Sequence, residues 1–117
     1  MLSYRIKKSK QNKRPYPALI LIHGYGSNMD DLFSFANYLP EQYTVISLQA
    51  PHELPFGGGA WYSINFDSNL KKWSDNKEAL TSIRKIKDQL EYFTFTYELN
   101  SEAVSYTHLT LPTSDLV

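Results

Sequence analysis

Five consecutive apolar residues, Ala18-Leu19-Ile20-Leu21-Ile22, run directly into His23-Gly24-Tyr25-Gly26-Ser27-Asn28. A strand that is apolar at every position needs cover on both faces, the condition of a central strand in a parallel sheet. The glycines that follow permit positive φ and close backbone approach, so the strand ends in a tight turn. Asn28 supplies an N-cap for a helix opening at Met29, with Asp31 three residues later in a capping-box-like spacing. Such a turn directs backbone N–H groups to the carboxyl edge of the sheet, where they can hold a developing negative charge.

The rest of the chain fits around that unit. Residues 2–7 alternate apolar and polar and read as an edge strand, and the polar residues 9–17, with two prolines, read as a loop. Met29, Leu32, Phe33, Ala36 and Leu39 recur at helical spacing and predict a helix that Pro40 ends. Residues 43–48 read as a second buried strand. Residues 49–74 form a long irregular stretch holding Pro51, Pro55, Gly57-Gly58-Gly59 and Trp61-Tyr62, and a loop of that length in a compact domain points to function. A second helix is predicted from residue 74 or 75 to about 97, stopping at Asn100. Leu80, Ile83, Ile86, Leu90 and Phe93 form its apolar face, Asp75 and Glu78 resemble a capping box, and Trp73 anchors its entrance. Strand–helix–strand–helix order predicts a parallel, doubly wound α/β layer.

Composition removes several classes of function. The 117 residues are 42% hydrophobic and 21% charged, as expected of a globular domain, and the formal net charge is zero. Zero net charge argues against a nucleic-acid partner held by phosphate contacts. Arg5, Lys7, Lys8, Lys10, Lys13 and Arg14 concentrate basic residues near the start, and they read as a solvated strand and loop. There is no cysteine, hence no disulfide or thiol nucleophile, and the three histidines have no acidic cluster at ligand spacing, so no metal is expected. The longest apolar run is far too short to span a bilayer, and the charged N-terminus does not read as a signal peptide. The expectation is a cytoplasmic protein without stable membrane insertion.

Residues 104–117 change character. Ser105-Tyr106-Thr107-His108-Leu109-Thr110-Leu111-Pro112-Thr113 is rich in hydroxyls and resembles adapter-derived tails on truncated reading frames. The expected organisation is therefore a domain portion over 1–103 followed by a non-native tail over 104–117. The tail has high β-propensity and can take the place of the strand that should follow the second helix.

Among chemistry-bearing residues, the Tyr25 N–H faces the cleft at the carboxyl edge. His23 is expected to hold the turn by hydrogen bonding, and His52 to be a loop residue. The Gly57-Gly58-Gly59 run neither follows a strand directly nor opens a helix, so it does not fit a phosphate cradle. It reads instead as a flexible loop presenting Trp61 and Tyr62, either to line an acyl pocket or to cap the core.

Leu21-Ile22-His23-Gly24-Tyr25-Gly26-Ser27-Asn28-Met29-Asp30-Asp31-Leu32 resembles the first signature of the phospholipase/carboxylesterase family of α/β-hydrolases, which includes acyl-protein thioesterases. Ala50-Pro51 after a strand resembles a second, and Gly58-Gly59-Ala60-Trp61-Tyr62 a third. The matches keep the family's order over about residues 18–100. The resemblance implies the N-terminal part of an α/β-hydrolase, a mostly parallel sheet flanked by helices that ends before the nucleophile elbow. It implies serine hydrolysis of a small-molecule carboxylic ester through an acyl-enzyme, without a cofactor. Tyr25 matches the family's oxyanion donor through its backbone N–H, His23 and Gly24 match the supporting turn, and Trp61 and Tyr62 match aromatic residues near the substrate cleft. One departure is decisive: no Gly-x-Ser-x-Gly occurs in the sequence. Without a nucleophile beside a base there is no covalent catalysis, so the chain itself is expected to be inactive. A non-catalytic α/β binding module, or an α/β-hydrolase of the dienelactone hydrolase or peptidase type, are the alternatives.

Overall fold

The computed structural model describes residues 1–66, 72–74 and 76–109. Its main sheet has four strands: β1 (Tyr4–Lys7), β2 (Tyr16–His23), β3 (Thr44–Leu48) and β8 (Leu99–Leu109), in the order β1-β3-β2-β8. β2 pairs in parallel with β3 and with β8, while β1 pairs antiparallel with β3. Helix α1 (Met29–Phe33) lies between β2 and β3 in sequence, and α2 (Asn76–Thr96) between β3 and β8.

The two crossovers run in opposite directions along the sheet, so right-handed connection sends their helices to opposite faces. Side-chain alternation follows. Ala18, Ile20 and Ile22 of β2 join Ile46, Leu48 and Phe93 in the core beneath α2. Leu21 and Val45 join Leu32 and Ala36 beneath α1. All five residues of β3 are buried, as a strand covered on both faces requires. The fold is α/β with a mostly parallel sheet between helices. Among the described residues, no helix is long and apolar enough to cross a membrane.

Local structure departs from the sequence pattern in several places. β2 extends past the apolar run to Tyr16 and His23, and the first strand begins at Tyr4 rather than residue 2. The first helix does not reach Leu39. It stops after Phe33, and a 3₁₀ turn covers Ala36–Tyr38. Ser34 Oγ donates to the Asp31 carbonyl at 2.7 Å, a local bond that competes with helix continuation. The capping box is half formed: Asp31 N–H donates to Asn28 Oδ1 at 2.9 Å, but the Asp31 carboxylate accepts from Ser27 Oγ instead of reaching back.

The stretch after β3 is not irregular throughout. β4 (His52–Glu53) and β5 (Gly59–Ala60) form one antiparallel hairpin, and β6 (Ile64–Phe66) and β7 (Lys72–Ser74) form another. Asp75 and the Trp73 side chain lie outside the described residues. On α2 the buried side chains are Ser82, Gln89 and Phe93, whereas Leu80 and Ile83 are 55% and 53% exposed. Helical period identified the right side of α2 but not how far the sheet and hairpins reach along it. Gln89 does what an apolar residue cannot: its carboxamide accepts from Leu2 N–H and donates to Leu2 C=O, both at 2.8 Å, fastening the N-terminal segment to the helix.

β8 begins at Leu99, immediately after Glu98 with φ +54, and not at Asn100 or beyond. It lies beside β2, with Ala18 opposite Val104 and His23 opposite Leu109. Residues on both sides of position 103 therefore share one strand.

Candidate functional site

Because α1 and α2 leave adjacent strands toward opposite faces, the carboxyl ends of β2 and β3 border a crevice, the place where open α/β sheets bind ligands. The His23–Asn28 segment occupies that place. Ser27 N–H donates to Gly24 C=O at 3.1 Å and closes a tight turn, with Gly26 at φ +85 in a position that demands positive φ. Among the described residues the Tyr25 N–H has no protein acceptor.

His23 is completely buried and hydrogen-bonded at both ring nitrogens. Nδ1 lies 2.8 Å from Gly24 C=O and Nε2 lies 3.0 Å from Ala50 N–H. A carbonyl only accepts and an amide only donates, so Nδ1 carries the proton and Nε2 carries the lone pair. The ring is neutral. Burial pushes its pKa below the ordinary histidine value, against the opposing pull of the Gly24 carbonyl and the Asp31 carboxylate. A ring so engaged has no free nitrogen for proton transfer, and its contacts tie β2's turn to the segment after β3.

Trp61 closes the same region from the other side. Its indole N–H donates to His23 C=O at 2.7 Å, its ring lies 5.4 Å from the imidazole, and its own carbonyl accepts from Ser82 Oγ at 2.6 Å. The residue is only 9% exposed and belongs to the core, with Tyr62 partly buried beside it. Both rings border an apolar cavity of about 220 Å³ that also touches Ile22, Ile83 and Ile86.

The glycine run is not a loose loop. Gly26 N–H donates to Gly59 C=O at 2.9 Å, and Gly59 N–H donates to Ser27 C=O at 2.8 Å. The hairpin thus adds a short antiparallel rung to the turn. Gly58, at φ +78, packs so closely that a Cβ there would meet Gly26 O at 2.1 Å. The sequence offered one signal of this docking: three adjacent glycines, which permit backbone-on-backbone contact as readily as flexibility. Gln49 was not singled out by sequence, yet its Oε1 accepts from Met29 N–H at 3.0 Å and satisfies an orphan donor at the start of α1.

His52 is on β4 rather than in a loop, and its Nε2 lies 3.2 Å from Glu78 Oε2. Ser63 Oγ donates to the same carboxylate at 2.8 and 3.0 Å. Serine, carboxylate and histidine therefore meet in the wrong order for a triad, which needs the histidine in the middle. They hold the hairpins against α2. Among the described residues, no three His, Asp or Glu side chains gather as a metal site requires.

Solved structures share this architecture. Esterase PE8 superposes with a TM-score of 0.74 at 19% identity, over 92% of this chain and 52% of that one. A carboxylesterase from Mesorhizobium loti gives 0.72 at 17% identity over 92% and 48%, and the Bacillus cereus carboxylesterase 0.71 at 18% over the same shares. Over about half of their length, the chain shares the fold of these esterase structures. It spans about half the length of these structures. No family model and no curated protein matches the sequence.

Proposed function

We propose that this chain is the oxyanion-turn half of a serine carboxylic-ester hydrolase of the carboxylesterase and lysophospholipase type, and that it is inactive by itself. The observation that carries the reading is the Tyr25 N–H, unengaged at the carboxyl end of β2 in a turn braced by His23, Gly24 and the Gly58-Gly59 backbone. An amide so fixed pays no reorganisation when an ester carbonyl gains negative charge, and one such donor is worth about 10²–10³ in rate. The second donor in this fold comes from the residue after the nucleophile, and the sequence has no Gly-x-Ser-x-Gly to supply it. Trp61 and Tyr62 border the acyl side of the cleft in this reading, and residues 104–117 are a foreign tail filling the place of the nucleophile strand.

The purified chain is expected to show no turnover of p-nitrophenyl esters and no labelling by a fluorophosphonate. Turnover that co-purifies with the chain and is abolished by such a probe would refute the inactivity. A second reading, a non-catalytic α/β binding module, is favoured by β8 already occupying the position beside β2 without a catalytic signature. Sequencing the genomic locus separates the two. Continuation after about residue 102 into an apolar strand and Gly-x-Ser-x-Gly supports the esterase, and an authentic stop after Val117 supports the module.

A further inference from the structure

Extended backbone alternates its side chains, so Val45, Ser47 and Gln49 at the end of β3 fall on the α1 side of the sheet. Val45 joins the core beneath α1, and the other two reach Met29, the first residue of that helix. Gln49 Oε1 accepts from Met29 N–H at 3.0 Å, and Ser47 Oγ donates to Met29 C=O at 2.7 Å. One residue further on, the Ala50 N–H donates to His23 Nε2. The carboxyl end of β3 thus grips the His23–Met29 segment at both of its ends. Gln49 is itself held in register, because its own N–H donates to Ser3 C=O at 2.8 Å.

The same side chain meets the docked hairpin. Gly59 holds Gly26 N–H and Ser27 C=O, and a Cβ on Gly59 would come within 2.6 Å of Gln49 Nε2. Atoms of Ala50 near that position lie at 3.4 Å, an ordinary contact. One carboxamide therefore touches both the start of α1 and the strand that braces the turn. A helix cap alone would not need this second contact, and Asn28 already caps α1 at Asp31 N–H. None of these partners of Gln49 belongs to β8.

We propose that Gln49 is a positioning residue for the Tyr25 amide. Tyr25 lies between the two ends that β3 grips, and its N–H bonds to no acceptor among the described residues. The direction of that N–H is therefore set by the residues on either side. His23 fixes one side through Ala50. Gln49 fixes the other, by holding Met29 and by resting against the Gly59 that holds Gly26 and Ser27. A donor stabilises developing charge only when it is already aimed, and a misplacement of about 1 Å costs on the order of 10² in rate. The consequence for catalysis rests on the esterase reading, whereas the fixing of the Tyr25 amide does not.

Backbone nitrogen NMR order parameters of the full chain test this without any turnover. In the unmodified chain the Tyr25 amide is expected to be as ordered as those of β3, at about 0.85. Gln49→Met keeps the shape and removes the acceptor. It is expected to take Tyr25 below about 0.6 while β3, Ile46 included, is unchanged. Gln49→Glu keeps an oxygen for Met29 N–H and is expected to retain the order. Gly59→Ala leaves the chemistry of Gln49 intact but displaces its carboxamide, so it should loosen Tyr25 as Gln49→Met does. The double variant should be no looser than either single one, because both act through one contact. If Gln49→Met does not fold, Gly59→Ala carries the test alone. A Tyr25 amide that stays rigid in the variants that fold, equal loosening by Gln49→Glu, or loosening shared by β3 overturns the proposal and leaves the esterase reading standing. A Tyr25 amide already mobile in the unmodified chain overturns both.

Discussion

The turn at the carboxyl end of β2 and the first half of α2 belong to the same domain, yet one is closed and the other open. At the turn, His23 Nδ1 is held by the neighbouring Gly24 carbonyl, and His23 Nε2, the His23 carbonyl and the Gly26 amide all have partners 27 to 38 residues away in sequence. On α2, the apolar period runs from Leu80 to Phe93, but its two ends differ: Phe93 is 1% exposed and meets Tyr4 edge-on at 4.7 Å, while Leu80 is 55% exposed. Periodicity states which residues share a side of a helix. It does not state that something lies against them. A clamp of backbone hydrogen bonds leaves no such latitude, because a missing partner strands a polar group.

The largest effect should come from breaking the closed region at its tightest point. Gly58→Ala sets a Cβ 2.1 Å from Gly26 O, backbone against backbone, at a φ that L-residues avoid. The expected loss is about 3 kcal/mol or more, read from the midpoint of urea unfolding. Gly57→Ala is the control. Its φ of +97 carries strain, but no atom lies within 4 Å of the added Cβ, so only about 1 kcal/mol should be lost. Equal losses at the two positions would mean that the hairpin is not docked on the turn in solution.

A smaller effect is expected from titrating His23. Burial holds its pKa below the unfolded value of about 6.5, so the unfolded chain binds the extra proton first. Stability is therefore full above that value, falls as pH drops through it, and levels off below the depressed native pKa. His23→Asn should cost about 1–3 kcal/mol at neutral pH, because the Ala50 N–H and Gly24 C=O contacts no longer both fit. It should also flatten the acid limb of stability between pH 7 and 5. An unchanged limb would assign the slope to other groups.

How much of this was legible from the sequence depends on how local the cause is. The buried strand, the glycine turn and the Asn28 cap could be read because each follows from residues within one turn or one strand. The break at Ser34 was not, because an apolar period at Met29, Leu32, Phe33, Ala36 and Leu39 outweighs one hydroxyl's backbone bond in any pattern count. The docking of Gly58 and Gly59 on Gly26 and Ser27 was invisible for a different reason: glycine carries no side chain whose chemistry announces a contact, and its mate is more than thirty residues away. Gln89 was hidden by polarity. A carboxamide on the buried side of a helix breaks the apolar pattern, and only the Leu2 backbone it serves explains its burial. For the candidate site, the residues at the turn could be named from the motif, but the bracing by Ala50 and by the hairpin could not.

The smallest effect tests the open region. At concentrations where the chain is monomeric, Leu80→Ala should change stability by no more than about 0.5 kcal/mol, since the side chain is more than half exposed. A loss of several kcal/mol at high dilution would show that Leu80 is covered within a single chain. The first half of α2 would then be closed like the turn, and the contrast between them would fail.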